Sequence, residues 1–165
     1  MKSIKKHIVL ASLGVLLAFG SEAKAASTTG TATANIVTPI SIAKVNDLAF
    51  GSIAPTSSAG TVTISPAGVL SSSNVTTLTS TRTAGSFTVS GQDNCAYTIT
   101  LPANGVVTLS GPAGSTAMAV SDFTSSAGTI TAGSAAVYVG ATLAVGANQA
   151  TGLYTGTFNV TAAYN

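Results

Sequence analysis

Beyond residue 25, apolar and polar residues alternate one by one over many short runs, and no stretch carries the sustained apolar stripe of a helix. A side-chain period of two belongs to β-strands, whose successive residues point to opposite faces. Gly, Pro, Ser or Asn breaks these runs roughly every ten residues, the spacing of short antiparallel strands in a sandwich or barrel. Thr, Ser, Gly and Ala make up 83 of the 140 residues after Ala25. Thr and Val are branched at Cβ and suit a pleated, half-buried surface. The pattern predicts an all-β fold.

Individual runs can be placed. Ala32, Ala34, Ile36, Ile40 and Ile42 share one parity, with Pro39 ending one strand and starting the next. Strands are expected over 48–53, 61–64, 75–82 and 86–90. A turn at Gly91-Gln92-Asp93-Asn94 then leads to Cys95, Tyr97, Ile99 and Leu101 on one face, which points the lone thiol inward. Further strands are expected over 106–109, 118–123 and 137–145. The most regular run is the last. Tyr154, Gly156, Phe158, Val160, Ala162 and Tyr164 fall on one face, and mostly polar residues fall on the other.

Residues 1–25 have the three-part layout of a secretory signal. Lys2, Lys5 and Lys6 precede an apolar run over 8–20, and Ala23-Lys24-Ala25 offers a small-residue cleavage site. The run is shorter than the roughly 20 residues a membrane span needs. Removing the segment leaves Lys44 and Arg82 against Asp47, Asp93 and Asp122, so the positive sign of the whole chain's +2 comes from the signal. A surface with two cations has no means of neutralising a phosphate backbone, and nucleic acid is not an expected partner. Low charge favours self-association.

Chemistry is hard to build from what remains. His7 and Glu22 leave with the signal, so a nucleophile would have no imidazole or glutamate as its base. Ser41-Ile42-Ala43-Lys44 matches the S-x-x-K string of serine acyl-transfer enzymes, but lies in a strand-like run without the K-T-G and S-D-N strings that accompany it. No cluster has metal-ligand spacing. Asn74-Val75-Thr76 and Asn159-Val160-Thr161 fit a glycosylation pattern that a Thr-rich chain produces by chance. No enzyme activity and no cofactor are expected.

The C-terminal run resembles a known signature. Gly152 stands fourteenth from the end, an alternating strand follows, and Tyr164 is penultimate; this resembles the end of chaperone–usher pilus subunits. Residues 34–42 (Ala-Asn-Ile-Val-Thr-Pro-Ile-Ser-Ile), followed by Leu48-Ala49-Phe50-Gly51, resemble an uncharacterised family of secreted bacterial β-proteins linked to alternate fimbriae. Many such pilins carry a disulfide pair, whereas this chain has Cys95 alone.

The resemblance implies an immunoglobulin-like antiparallel β-sandwich, incomplete in itself and completed by a donor strand. It divides the chain into a signal at 1–25, a donor arm at 26–38 and a pilin-like domain at 39–165. Thr28, Gly30, Ala32, Ala34 and Ile36 would be the inward face of the arm. Gly152, Tyr154, Phe158, Val160 and Tyr164 would line the acceptor groove and the chaperone contact. The implied partners are other copies of the chain, a periplasmic chaperone and an outer-membrane usher, and the implied location, reached through the periplasm, is a cell-surface fimbria or the medium outside the cell. The rival readings are a secreted carbohydrate- or surface-binding β-sandwich, which needs exposed aromatic or acidic loops, and an outer-membrane barrel, which needs aromatic girdles.

Overall fold

The computed structural model describes residues 24–126 and 128–165. The chain divides into two units, Met1–Asn35 and Ile36–Asn165. In the first, residues 24–35 carry neither helix nor strand and are exposed. The expected signal segment, apart from its last two residues, lies outside the described residues.

The described part of the second unit is all β, with eleven strands and no helix. β1 (Ser41–Asn46), β2 (Ile53–Ala54), β3 (Gly60–Ile64), β4 (Leu70–Ser73), β5 (Thr76–Thr77) and β6 (Gly85–Ser90) come first. β7 (Tyr97–Thr100), β8 (Val107–Leu109), β9 (Met118–Ser125), β10 (Ser134–Val145) and β11 (Thr161–Tyr164) follow. Their pairings are antiparallel.

β10 organises the largest sheet by serving two partners along one edge. Its first half pairs with β6, from Ser134↔Ser90 to Val139↔Gly85. Its second half pairs with β3, from Ala141↔Ile64 to Val145↔Gly60. Gly140 sits at the hand-over, where a Cβ would run into the carbonyl of Ile64, the kind of close backbone approach that strand glycines mark. The opposite edge of β10 pairs with β9. β1, β4 and β8 extend the sheet beyond β6, β3 and β9. The ladder between β9 and β10 shifts register between Gly140 and Thr142. Near that shift Asp122 adopts a φ of 51°. The Asn104 amide holds this residue from both sides: its Oδ1 accepts the Asp122 N–H at 2.8 Å, and its Nδ2 donates to the Asp122 carboxylate at 3.0 Å.

Alternation along β10 turns Val137, Val139, Ala141, Leu143 and Val145 inward, and all are buried. The core they feed is divided. One cluster gathers Phe50, Val62, Ile64, Val107, Met118, Val120, Ala141, Leu143 and Val145. The other gathers Val89, Tyr97, Ile130, Val137 and Val139. Phe123 and Phe158 pack against both. The small sheet of β7 and β11 lies over the second cluster, with Ile99, Val160, Ala162 and Tyr164 packed onto it.

The expected strands over 61–64, 86–90, 106–109, 118–123 and 137–145 are present with shifted ends, whereas others are cut down. Of 48–53 only Ile53 lies in a strand, and of 75–82 only Thr76–Thr77 does. β4 lies in a serine run with no alternation to reveal it. Cys95 is half-buried rather than enclosed, because it precedes β7 and sits on the turn.

Candidate functional site

The candidate site lies at the first core cluster. A cleft of about 730 Å³ opens over it, floored by Phe50, Val107, Leu109, Met118, Val120, Leu143 and Val145. Two chain segments form its lips. One runs from Asp47 to Ile53 with Pro55, and the other from Gln149 to Gly156 with Phe158.

Each lip is bonded on one edge only. Ala49 exchanges both backbone hydrogen bonds with Thr83, and Thr155 does the same with Ser110. In an extended chain successive residues turn their N–H and C=O groups to opposite edges. Leu48 and Phe50 on one lip, and Tyr154 and Gly156 on the other, therefore present theirs away from those partners. Among the described residues, no backbone–backbone hydrogen bond is formed by Gly152, Leu153, Tyr154 or any residue of 156–160. The cleft thus joins an apolar floor to two rims of unpaired main-chain donors and acceptors.

The C-terminal segment follows its sequence pattern in burial but not in pairing. Tyr154, Phe158, Val160, Ala162 and Tyr164 are half-buried, and the residues between them are exposed. Only Thr161–Tyr164 forms a strand, against β7. Alternation needs only an extended chain with one apolar side, whereas a ladder needs a hydrogen-bonded partner strand, and among the described residues 156–160 has none, although Gly156 lies close to the Thr108 carbonyl.

Side chains hold this lip in place. The Tyr154 hydroxyl donates to the Ala150 carbonyl at 3.0 Å and accepts from Gln149 Nε2 at 2.8 Å. Gln149 Nε2 also donates to the Thr116 carbonyl at 2.6 Å. The other face of the ring lies on Gly111, where any Cβ would collide with it. Phe158 meets Phe87 edge-on at 6.3 Å and Phe123 tilted at 5.2 Å. Asp47 is the one charged residue in the lining, and its carboxylate is paired with Lys44. Apart from that ion pair the lining carries no charge, so an unpaired charge brought there would lose hydration without gaining a partner.

The five residues expected in the groove separate. Gly152, Tyr154 and Phe158 line the cleft, whereas Val160 and Tyr164 pack on the second cluster. Of the five expected on the arm, Thr28, Gly30, Ala32 and Ala34 belong to the first unit; Ile36 opens the second and is 95% exposed.

The sequence profile of a family described as Domain of unknown function (DUF4402) matches residues 40–164. The chain belongs to this family. The DUF4402 span contains both lips and the floor of the cleft and leaves the expected arm outside. Its description names neither an activity nor a pilus. No curated protein and no solved structure matches the chain.

The facing lip over 47–55 and the floor were not singled out as site residues from sequence. Leu48 and Phe50 alternate there and gave a strand, but nothing local shows that its second edge is free. Among the described residues no group of three or more His, Cys, Asp or Glu stands together. What the site offers is its backbone and its apolar lining.

Proposed function

We propose that this chain is a structural subunit of a bacterial surface pilus, exported through the periplasm and polymerised by donor-strand exchange. In this reading residues 39–165 are an immunoglobulin-like sandwich lacking one strand over the first core cluster. The missing strand comes from the arm of another copy, with Thr28, Gly30, Ala32, Ala34 and Ile36 facing the floor. Before assembly a periplasmic chaperone supplies a strand, and an outer-membrane usher passes the subunit on.

The observation that carries the reading is the pair of unpaired backbone edges flanking an apolar floor. A strand laid between them gains main-chain hydrogen bonds on both sides and covers the floor, the geometry of β-augmentation. Residues 26–38 contain no charged side chain, which matches the uncharged lining. Covering a few hundred Å² of apolar surface contributes roughly 25 cal/mol per Å², a total comparable with the 5–15 kcal/mol that holds a typical domain together.

The test compares three forms of the protein by thermal unfolding and size-exclusion chromatography: residues 26–165, the same chain without 27–36, and the shortened chain with 27–38 fused after Asn165 through a flexible linker. The first should form oligomers, the second should be unstable, and the third should be a stable monomer. A stable monomer from the second form would mean that the domain is complete without the arm. A self-contained surface-binding module would then replace the pilus subunit.

A further inference from the structure

We infer that Tyr164 and Gln92 form a latch on Thr38 that fixes where the arm leaves its domain, favouring entry into another copy over entry into the domain's own cleft. The inference rests on the pilus reading and gives Tyr164 a role different from the groove contact expected of it.

Thr38 is held by both of its backbone groups. Its carbonyl accepts from the Tyr164 hydroxyl at 2.7 Å, and its N–H donates to Gln92 Oε1 at 3.3 Å. The Gln92 N–H donates to the same phenol oxygen at 2.6 Å, which closes the triangle. The phenol lies so close to Gly91 that a Cβ there would collide with its hydroxyl. Gly91 and Gln92 belong to the turn after β6, and Tyr164 ends β11, so the latch ties both sheets to the residue from which the arm departs. Pro39 adds stiffness. Its ring fixes its own φ and keeps the preceding residue, Thr38, extended. A reversal across Thr38–Pro39 is therefore disfavoured.

Position on the C-terminal segment gives the latch its consequence. Tyr164 lies six residues beyond Phe158, which lines the cleft, and that is roughly 20 Å of extended chain. To fill its own cleft, an arm starting at Thr38 has to double back and spend about six residues covering that distance. A latched, extended exit disfavours the reversal, while another copy's cleft can take the arm along its whole length.

The experiment uses the full chain after signal removal, with Tyr164→Phe and Gln92→Ala. Tyr164→Phe keeps the ring and removes the hydroxyl. Gln92→Ala removes a side chain that bonds only Thr38 within the latch, and covers the case in which the tyrosine variant fails to fold. Amide exchange at Thr38 and the partition between monomer and polymer after dilution from denaturant are measured. A synthetic peptide of residues 27–38 is added as a chain-growth blocker. Each variant should lose protection at Thr38 and raise the monomer share about threefold to tenfold, the weight of one or two hydrogen bonds. The peptide should block wild type and variants at the same concentration, because the cleft is unchanged. Lost protection with an unaltered partition would overturn the latch and leave the pilus reading standing. A wild-type chain that neither polymerises nor responds to the peptide would overturn both.

Discussion

Phe158 is the side chain whose loss should divide the domain. It is half-buried and touches both core clusters, with rings at 5.2 Å and 6.3 Å on either side. Truncating a buried phenylalanine to alanine costs about 3–5 kcal/mol. Partial exposure puts Phe158→Ala near the lower end, about 3 kcal/mol, of which the two ring pairs contribute roughly 0.5–1.5 kcal/mol each. In a domain of this size that corresponds to a fall in Tm of about 10 °C. Phe158→Leu keeps most of the apolar contact and should cost less, about 1–3 kcal/mol, the share of the two ring pairs alone. The assay is thermal unfolding of the arm-fused monomer, followed by circular dichroism and tyrosine fluorescence. The unsubstituted protein should melt in one transition. Phe158→Ala should melt in two, with the half beneath the cleft lost first, since only Phe123 then bridges the clusters. A single transition lowered by less than about 1 kcal/mol would refute the bridging role and the division of the core with it.

Two further outcomes are expected. Gly111→Ala drives a Cβ into the Tyr154 ring and should cost about 1–3 kcal/mol as an overpacked contact while weakening uptake of the 27–38 peptide. Gly128→Ala, whose nearest neighbour would be the Tyr97 hydroxyl at 3.6 Å, is the control, and equal losses from the two in chemical denaturation would contradict the lip geometry. Burial raises the Tyr97 phenol above its ordinary value of 10.0. The folded state then keeps its proton to higher pH than the unfolded state, so this contribution is complete below about pH 10 and lost as pH rises further. Urea midpoints measured against pH should fall on that alkaline side, and Tyr97→Phe should flatten the fall.

Period-two alternation made the strands of the large sheet legible, because β3, β6, β9 and β10 each put one face into a core. It failed where pairing is decided by something other than side chains. β4 is a serine run that pairs because a turn delivers it to β3, and 48–53 reads like a strand although only a bridge at Ala49 holds its main body. The C-terminal segment shows both outcomes. The face carrying Phe158, Val160 and Tyr164 was evident, but not that 156–160 forms no ladder among the described residues or that Tyr164 bonds to Thr38, 126 residues away. Contacts of that span leave no local pattern. The cleft was foreshadowed on one lip by Gly152, Tyr154 and Phe158, while the facing lip and the floor come from segments whose meeting is a matter of topology.

The double service of β10 also sets the order in which the domain can form. β3 and β6 lie far upstream of it, with Thr63 bonding Thr142 across 79 residues and β6 ending 44 residues before Ser134. Neither upstream strand pairs with the other, so until β10 arrives β3 has only β4 beside it and β6 only β1. Pairings this distant make folding slow, on the order of milliseconds to seconds, because loops must close before contacts reward them. Throughout that interval Thr- and Val-rich edges stand open to one another and to neighbouring chains. A protein laid out this way spends its most vulnerable moments before its cleft exists, and its yield depends on how quickly one strand is delivered to two places at once.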